Sequence, residues 1–201
     1  MHQMSMTVNP PTWAEAALMA VLKPEDRETV SGDLLEEYRE SIHAGANRND
    51  ADWRYVREVV GFVWRATWMW GVLLALLTIG RDALDWFAPP ASFYTRSAVS
   101  TYAHAAIFLA IGVSTAWRGR SIVGAAAAGF GAQTIAVVLI FTTQVLLLAW
   151  SHDSQTMAAI AASGGLSESF TLPITVILPG VVLSALGSAL GGALRGPLAG
   201  R

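Results

Sequence analysis

A group of acidic side chains near the start of the chain is the first candidate for chemistry. It lies in the segment 27–42, RETVSGDLLEEYRESI, and its members are Asp33, Glu36, Glu37 and Glu40. His43 follows Glu40 at the Glu-x-x-His spacing, which is half of a carboxylate-bridged di-iron motif. The sequence has no second Glu-x-x-His, and the partner glutamates on other helices are missing. We therefore expect neither a metal site nor a cofactor here.

The same carboxylates are better explained as an interaction surface. On a helix, like charges four residues apart repel each other, so this group should attract cations. Arg54 and Arg57, farther along the chain, are candidate partners. The predicted interaction face comprises Asp33, Glu36, Glu37, Glu40, Arg54 and Arg57. Exposed ion pairs contribute only about 0–1 kcal/mol each, so they would orient this region more than stabilise it.

Three polar side chains lie within long apolar segments: His104, Gln133 and Gln144. Polar groups inside a membrane mark functional sites by default, and a transporter or a proton path would use them. Gln and His also form hydrogen bonds between membrane helices, which is the interpretation that we favour. The central apolar segments carry no Asp, Glu or Lys, which argues against ion-coupled transport.

The composition divides the chain into two parts. Of its 201 residues, 53% are hydrophobic and 14% are charged, whereas about 25% of the residues of a soluble domain are charged. Because eleven of the fifteen carboxylates precede Val59, we predict a polar head at 1–58, a membrane part at 59–195 and a short tail at 196–201. The net charge of −2 and the lack of a basic stripe give no reason to expect a nucleic-acid partner.

Four apolar segments are long enough to cross a bilayer, which takes about 20 residues. They lie at about 60–79, 97–117, 121–150 and 172–194, with a loop at 151–171 between the last two. Each must be helical, because lipid offers no partners for unpaired backbone groups. The expected fold is an all-α membrane protein, in which a small cytoplasmic helical head precedes a four-helix transmembrane bundle.

Arginines near the span ends predict the orientation. One side would carry Arg54, Arg57, Arg65, Arg118, Arg120, Arg195 and Arg201. The other side would carry Arg81 and Arg96, and the loop 151–171 has no Lys or Arg. The positive-inside rule then places both termini in the cytoplasm. The segment 1–28 lacks the basic start of a signal peptide, so we expect a multi-pass protein of the bacterial inner (plasma) membrane.

Small residues predict how the last span packs. Gly180, Ser184, Gly187 and Gly191 recur on one helical face. Small side chains allow the backbones of two membrane helices to approach closely. This face would pack either within one chain or against a second copy in a homodimer, and the pattern is compatible with both.

The head has the pattern of three short helices. The first would end near Leu22, and the second would span about 24–44, with Gly45 as its stop. The second helix has a narrow apolar stripe, formed by Val30, Leu34, Leu35, Tyr38 and Ile42. An Asp50 or Asp52 cap would begin the third helix, which continues into the first span. A head of about 55 residues is only marginally stable on its own, so we expect contacts with the membrane part or with a partner to stabilise it.

Two stretches of the head resemble a known module. PEDRETVSGDLLEEYRE and, after a polar gap, WRYVREVV are similar to the permease prefix domain found ahead of MacB/FtsX-type ABC transporter permeases. The matching elements are Gly32-Asp33-Leu34, Glu37-Tyr38 and Trp53-Arg54, and the resemblance covers about residues 13–64. Those permeases have a long extracytoplasmic domain and separated spans, which this chain lacks. The resemblance therefore implies a shared cytoplasmic module rather than a complete permease, and it implies no catalytic residues.

These patterns predict a non-enzymatic membrane protein whose head is a docking or regulatory module. Its expected partners are the lipid bilayer and a protein that binds the head. The alternative is a small, homo-oligomeric subunit of a transporter or channel, which the polar residues of the apolar segments would serve. An enzyme ranks third, because the sequence has no Walker loop, serine nucleophile elbow or HExxH motif, and it has no cysteine.

Overall fold

The structure is a computed structural model, and it describes residues 9–90, 92–119, 121–151 and 153–195. Over these residues the chain forms helices and no strands, as predicted. The helices are α1 (Thr12–Val21), α2 (Arg27–His43), α3 (Arg48–Phe87), α4 (Tyr94–Trp117), α5 (Ile122–Trp150), α6 (Ser154–Ala162), α7 (Gly165–Thr175) and α8 (Ile177–Arg195). The predicted tail at 196–201, Arg120 and the side chain of Arg195 lie outside the described residues.

Four helical segments are long and apolar enough to cross a membrane, as predicted. They are α3, α4, α5 and the combined segment of α7 and α8. α3 has 40 residues, a length of about 60 Å, and so extends well beyond a hydrocarbon core of about 30 Å. It is therefore a continuous connection between the head and the bundle. We call the end of the bundle away from the head, where α3 ends and α4 begins, the far end.

The head is built from α1, α2 and the first turns of α3. Its core is formed by Ala14, Leu18, Leu22, Tyr38, Ala51, Tyr55 and Val59. Of the predicted stripe on α2, Tyr38 is buried, while Val30, Leu34 and Ile42 are partly buried against this core. The Tyr38 and Tyr55 rings meet edge to face with 6.0 Å between their centroids. The apolar stripe thus packs α2 onto α3 and leaves the opposite face of α2 in contact with solvent.

The start of α3 differs from the prediction. Neither Asp50 nor Asp52 caps this helix; the cap is Asn47, whose side-chain oxygen accepts a hydrogen bond from the Asn49 N–H at 3.1 Å. Asn is as effective an N-cap as Asp, so both residue types were suitable and the earlier one caps the helix. Asp50 instead lies in the first turn, where its charge favours the N-terminal end of the helix.

The segment 151–171, predicted as a loop, is mostly helical. It contains α6 and the first turns of α7. Asp153 starts α6 by accepting hydrogen bonds from the Thr156 N–H and the Thr156 hydroxyl, both at 2.8 Å. These bonds stabilise the carboxylate and hold the pKa of Asp153 below its ordinary value. The absence of Lys and Arg from this segment carries no information about its helix content.

The last predicted span is two helices rather than one. α7 and α8 are separated by the single residue Val176, which lies between Pro173 and Pro179. Pro179 has no N–H with which to continue the hydrogen-bond ladder, so the helix is interrupted one turn before it. Backbone hydrogen bonds flank the interruption, from Val176 N–H to Leu172 O at 3.1 Å and from Gly180 N–H to Val176 O at 2.9 Å.

The small-residue face of α8 packs against α4 of the same chain. A methyl group at Gly180 would collide with the Phe108 ring, and one at Gly187 would collide with the backbone of Leu109. The Ser184 hydroxyl donates a hydrogen bond to the Phe108 carbonyl at 3.2 Å. Gly112 faces the α8 backbone so closely that any side chain would overlap the Ser184 carbonyl. Small residues therefore determine how closely these two helices pack.

Candidate functional site

A buried charged network occupies the far end of the bundle, on the last turns of α3. Asp82 is 8% exposed and Asp85 is 1% exposed. The Gln144 side chain on α5 donates a hydrogen bond from Nε2 to Asp82 Oδ2 at 2.8 Å. Carboxylates buried in a low-dielectric environment must be paired or hydrogen-bonded, and Gln144 meets this need for Asp82.

Asp85 is bound by two arginines. Arg81 Nε lies 3.3 Å from its Oδ2, and Arg96 Nη1 on α4 lies 3.2 Å from its Oδ1. Arg96 Nη1 also donates to the Leu84 and Ala88 carbonyls at 2.8 and 2.9 Å. These bonds satisfy carbonyl groups at the C-terminal end of α3. Arg81 Nη2 lies 3.8 Å from Glu168 Oε1 on α7. Ion pairs thus tie the end of α3 to both α4 and α7.

The sequence patterns did not predict this network. The predicted first span ended near Ile79, with Arg81 and Arg96 as flanking charges, whereas α3 continues to Phe87. The central apolar segments do lack Asp, Glu and Lys, but α3 carries Asp82 and Asp85 inside the bundle, beyond the predicted end of the first span. A signal was present: Arg81 and Asp85 are four residues apart, the spacing of an ion pair on one helical face.

The three polar residues singled out in the apolar segments each bond to another helix. His104 on α4 has Nε2 at 3.0 Å from the Thr78 hydroxyl on α3, and its Nδ1 lies 2.8 Å from the Ser100 carbonyl. Gln133 on α5 donates from Nε2 to the Pro173 carbonyl on α7 at 2.8 Å. Gln144 binds Asp82, as described above. Hydrogen bonds between helices are thus the observed role of all three.

His104 and Gln133 also line a cavity, whereas Gln144 does not. The cavity has a volume of about 290 Å³ and lies between α3, α4, α5 and the junction of α7 with α8. Thr78, Arg81, Ser100 and Thr101 complete its polar wall. A small cleft of about 10 Å³, lined by Asp82, Asp85 and Glu168, shares Thr78 and Arg81 with it. The charged network therefore adjoins the cavity.

The predicted interaction face lies on the solvent side of the head. Asp33, Glu36, Glu37 and Glu40 are all exposed, and so are Arg54 and Arg57. Glu37, Arg54 and Arg57 line a groove of about 40 Å³ between α2 and α3. Among the described residues, the predicted ion pairs across this groove are not formed. Arg57 pairs instead with its neighbour Glu58 at 3.9 Å. Long exposed side chains gain too little from pairing in water to be held in one geometry.

Near this face, one hydrogen bond ties α2 to α3. The Tyr38 hydroxyl donates to Asp52 Oδ1 at 2.7 Å. Burial of the phenol, and next its hydrogen bond to the Asp52 carboxylate, raise the pKa of Tyr38 above its ordinary value.

His43, the last residue of α2, bonds within its own helix. Its Nδ1 lies 2.7 Å from the Arg39 carbonyl within α2. Over the part of the chain that the structure describes, no group of three or more His, Asp or Glu side chains could hold a metal ion.

Compared with family models, with curated proteins and with solved structures, the chain shows no match. The resemblance of the head to the permease prefix domain therefore stays a prediction that depends on the residues named above.

Proposed function

We propose that the chain is a non-enzymatic, multi-pass protein of the bacterial inner membrane, in which the head docks a partner protein. In this proposal both termini lie in the cytoplasm. The distribution of arginines supports this orientation: Arg54, Arg57 and Arg118 lie at the head end of the bundle, and Arg81 and Arg96 at the far end are already paired with carboxylates.

The acidic face of α2 is the observation that carries the docking proposal. Asp33, Glu36, Glu37 and Glu40 recur at helical spacing on the exposed side, and none of them has an ion-pair partner among the described residues. Two like-charged pairs on this face are four residues apart, and each such pair destabilises a helix by about 0.2–0.5 kcal/mol. A surface that lowers the stability of its own helix is suited to a partner that supplies the missing cations.

The charge of α2 defines the chemistry of the partner. The helix has five carboxylates and two arginines, a net charge of −3. Because opposite charges steer association, the partner should present a protein surface rich in Lys and Arg. α3 starts directly after this helix and runs without a break to the far end of the bundle. Binding at the head is therefore mechanically connected to the membrane part.

Photo-crosslinking of the full-length protein tests this proposal. A photoreactive residue replacing Glu40 should capture one partner protein through a segment rich in Lys and Arg. Changing Asp33, Glu36 and Glu37 to Asn, Gln and Gln should abolish the capture and leave the free energy of unfolding equal or slightly higher, because repulsion is removed. Glu28→Gln is the matched control, since Glu28 is exposed on α2 but off this face.

Three results would contradict docking by this face. One is capture that survives the triple change. Another is capture through a segment without basic residues. The last is unchanged behaviour of the protein in cells after deletion of residues 1–52.

A small subunit of a transporter or channel is the second candidate function. The cavity of about 290 Å³ inside the bundle, with its polar wall, favours it. Solute flux into liposomes that contain the purified protein would support this candidate, and its absence would leave docking as the better account.

A further inference from the structure

The cavity in the bundle has a polar atom that lacks a partner. Gln133 is 2% exposed, and its Nε2 is fixed by the Pro173 carbonyl at 2.8 Å. Its Oε1 is buried and has no hydrogen-bond partner among the described residues. A buried acceptor without a donor costs about 1–3 kcal/mol. Because Gln133 lines the cavity, a bound molecule can supply that donor.

The other polar groups of the cavity wall are already engaged. The His104 ring contacts Thr78 and Ser100 through its two nitrogens. The Thr101 hydroxyl donates to the Ser97 carbonyl within α4. Arg81 is held between Asp85 and Glu168. The main group of the wall that is left without a hydrogen-bond partner is therefore an acceptor, Gln133 Oε1. This favours a ligand with N–H or O–H groups over one that only accepts hydrogen bonds.

The charges beside the cavity favour a cation. Asp82, Asp85 and Glu168 are three carboxylates, and Arg81 and Arg96 are two guanidinium groups, so the ionised network carries a net charge of −1. Arg81 is cationic and lines the cavity, but two carboxylates flank it. A singly charged cation would neutralise the remaining charge beside the buried Asp82 and Asp85.

Most of the remaining wall is apolar. It includes Ala105, Phe108, Leu172, Val176, Pro179 and Leu183. Burial of apolar surface stabilises a ligand with a hydrocarbon body. The Phe108 ring adds a face that attracts cations. The volume of about 290 Å³ is at the small end of ligand pockets, which span about 300–1,000 Å³.

We propose that this cavity binds a small amphiphilic amine in its ammonium form. The ammonium group donates a hydrogen bond to Gln133 Oε1, and the excess carboxylate charge of the adjoining network balances its charge. The hydrocarbon body lies against α4 and α8. This site does not involve the head, so the amine-binding proposal can fail without affecting the docking proposal, and the reverse.

Calorimetric titration of the full-length protein in lipid nanodiscs tests the proposal. The probes are n-pentylamine, n-pentanol and pentanoate at pH 7, which share a hydrocarbon body and differ in the head group. Empty nanodiscs measure partition into lipid. We expect saturable binding of pentylamine, weaker binding of pentanol and the weakest binding of pentanoate.

Two substitutions separate the hydrogen bond from the charge. Gln133→Leu should weaken pentylamine binding by roughly 10-fold or more, the effect of losing a hydrogen bond to a charged group. Glu168→Gln should weaken pentylamine binding and leave pentanol binding unchanged, because it removes one negative charge from the network and keeps the size of the side chain. Thr134→Val is the matched control, since Thr134 is the next residue on α5 and is exposed.

Several outcomes would overturn the proposal. They are equal binding of the three probes, heats no larger than those of empty nanodiscs, and full pentylamine affinity in folded Gln133→Leu. If Gln133→Leu does not fold, Ala105→Leu, which fills the cavity without removing a polar group, replaces it. Loss of pentylamine binding in that variant supports the site, and unchanged binding contradicts it.

Discussion

Asp82 and Asp85 are the central residues of the buried charged network. Each is buried, and each is bound from a different helix, Asp82 by Gln144 and Asp85 by Arg96. Removing one partner of such a buried pair leaves the other uncompensated, which costs more than the intact pair contributes. Single substitutions here should therefore reduce stability more than any change at the exposed acidic face.

The bond between Gln144 and Asp82 gives a prediction for stability. Gln144→Leu should lower the free energy of unfolding in detergent micelles by about 1–3 kcal/mol, because Asp82 is left buried without its donor. Adding Asp82→Leu should recover most of this loss, since the unpaired carboxylate is then gone. Thr142→Val is the control, because Thr142 is exposed on the same helix. A loss no larger than that of the control would show that the bond contributes little.

The polar residues of the apolar segments could be identified from the sequence, but the residues that they contact could not. His104, Gln133 and Gln144 stood out in the sequence because polar groups are rare in apolar runs. That Gln144 meets Asp82 could not be predicted, because the two are 62 positions apart and their contact depends on how α3 packs against α5.

The backbones of α4 and α8 lie close together at Gly112. The close contact is possible because Gly112 faces Ser184 and because Gly187 faces Leu109. Membrane helices have no hydrophobic drive to associate, so close packing and hydrogen bonds must supply the attraction. The Ser184 hydrogen bond to the Phe108 carbonyl adds to it.

A pair of glycines tests this packing. Gly112→Ala should lower the free energy of unfolding by about 1–3 kcal/mol, because the new methyl group forces α4 and α8 apart. Gly192→Ala should be neutral or stabilising, since nothing lies within 4 Å of that position and alanine favours helices by about 0.5–1 kcal/mol over glycine. Equal effects of the two changes in detergent unfolding would contradict close packing at Gly112.

At the scale of elements, apolar length predicted the helices well and their ends poorly. The predicted first span stopped near Ile79 because the polar residues that follow resemble a boundary, yet they continue α3 inside the bundle. In 151–171, an Asp153 N-cap ahead of the Ala-rich stretch of α6 was a local helix signal, although the segment was predicted as a loop. Val176, where the last span is interrupted, lies between Pro173 and Pro179.

The whole molecule is a head joined by one long helix to a bundle, and the far end of the bundle carries the buried charged network. The division into a polar head and an apolar body followed from composition, because charged residues concentrate before Val59. The contact surfaces within the head followed from the stripe on α2. The adjoining cavity did not follow from any local pattern, because residues from α3, α4, α5, α7 and α8 form it together.

Accessibility of single cysteines tests the central claim, that four spans place the head and the far end of the bundle on opposite sides of the membrane. The chain has no cysteine of its own, so Glu36→Cys, Arg118→Cys, Ser92→Cys and Gln155→Cys each introduce a single reactive thiol. In intact cells, a maleimide that cannot cross membranes should label Ser92→Cys and Gln155→Cys, and should label Glu36→Cys and Arg118→Cys only after permeabilisation. Labelling of Glu36→Cys and Gln155→Cys from the same side would contradict the account.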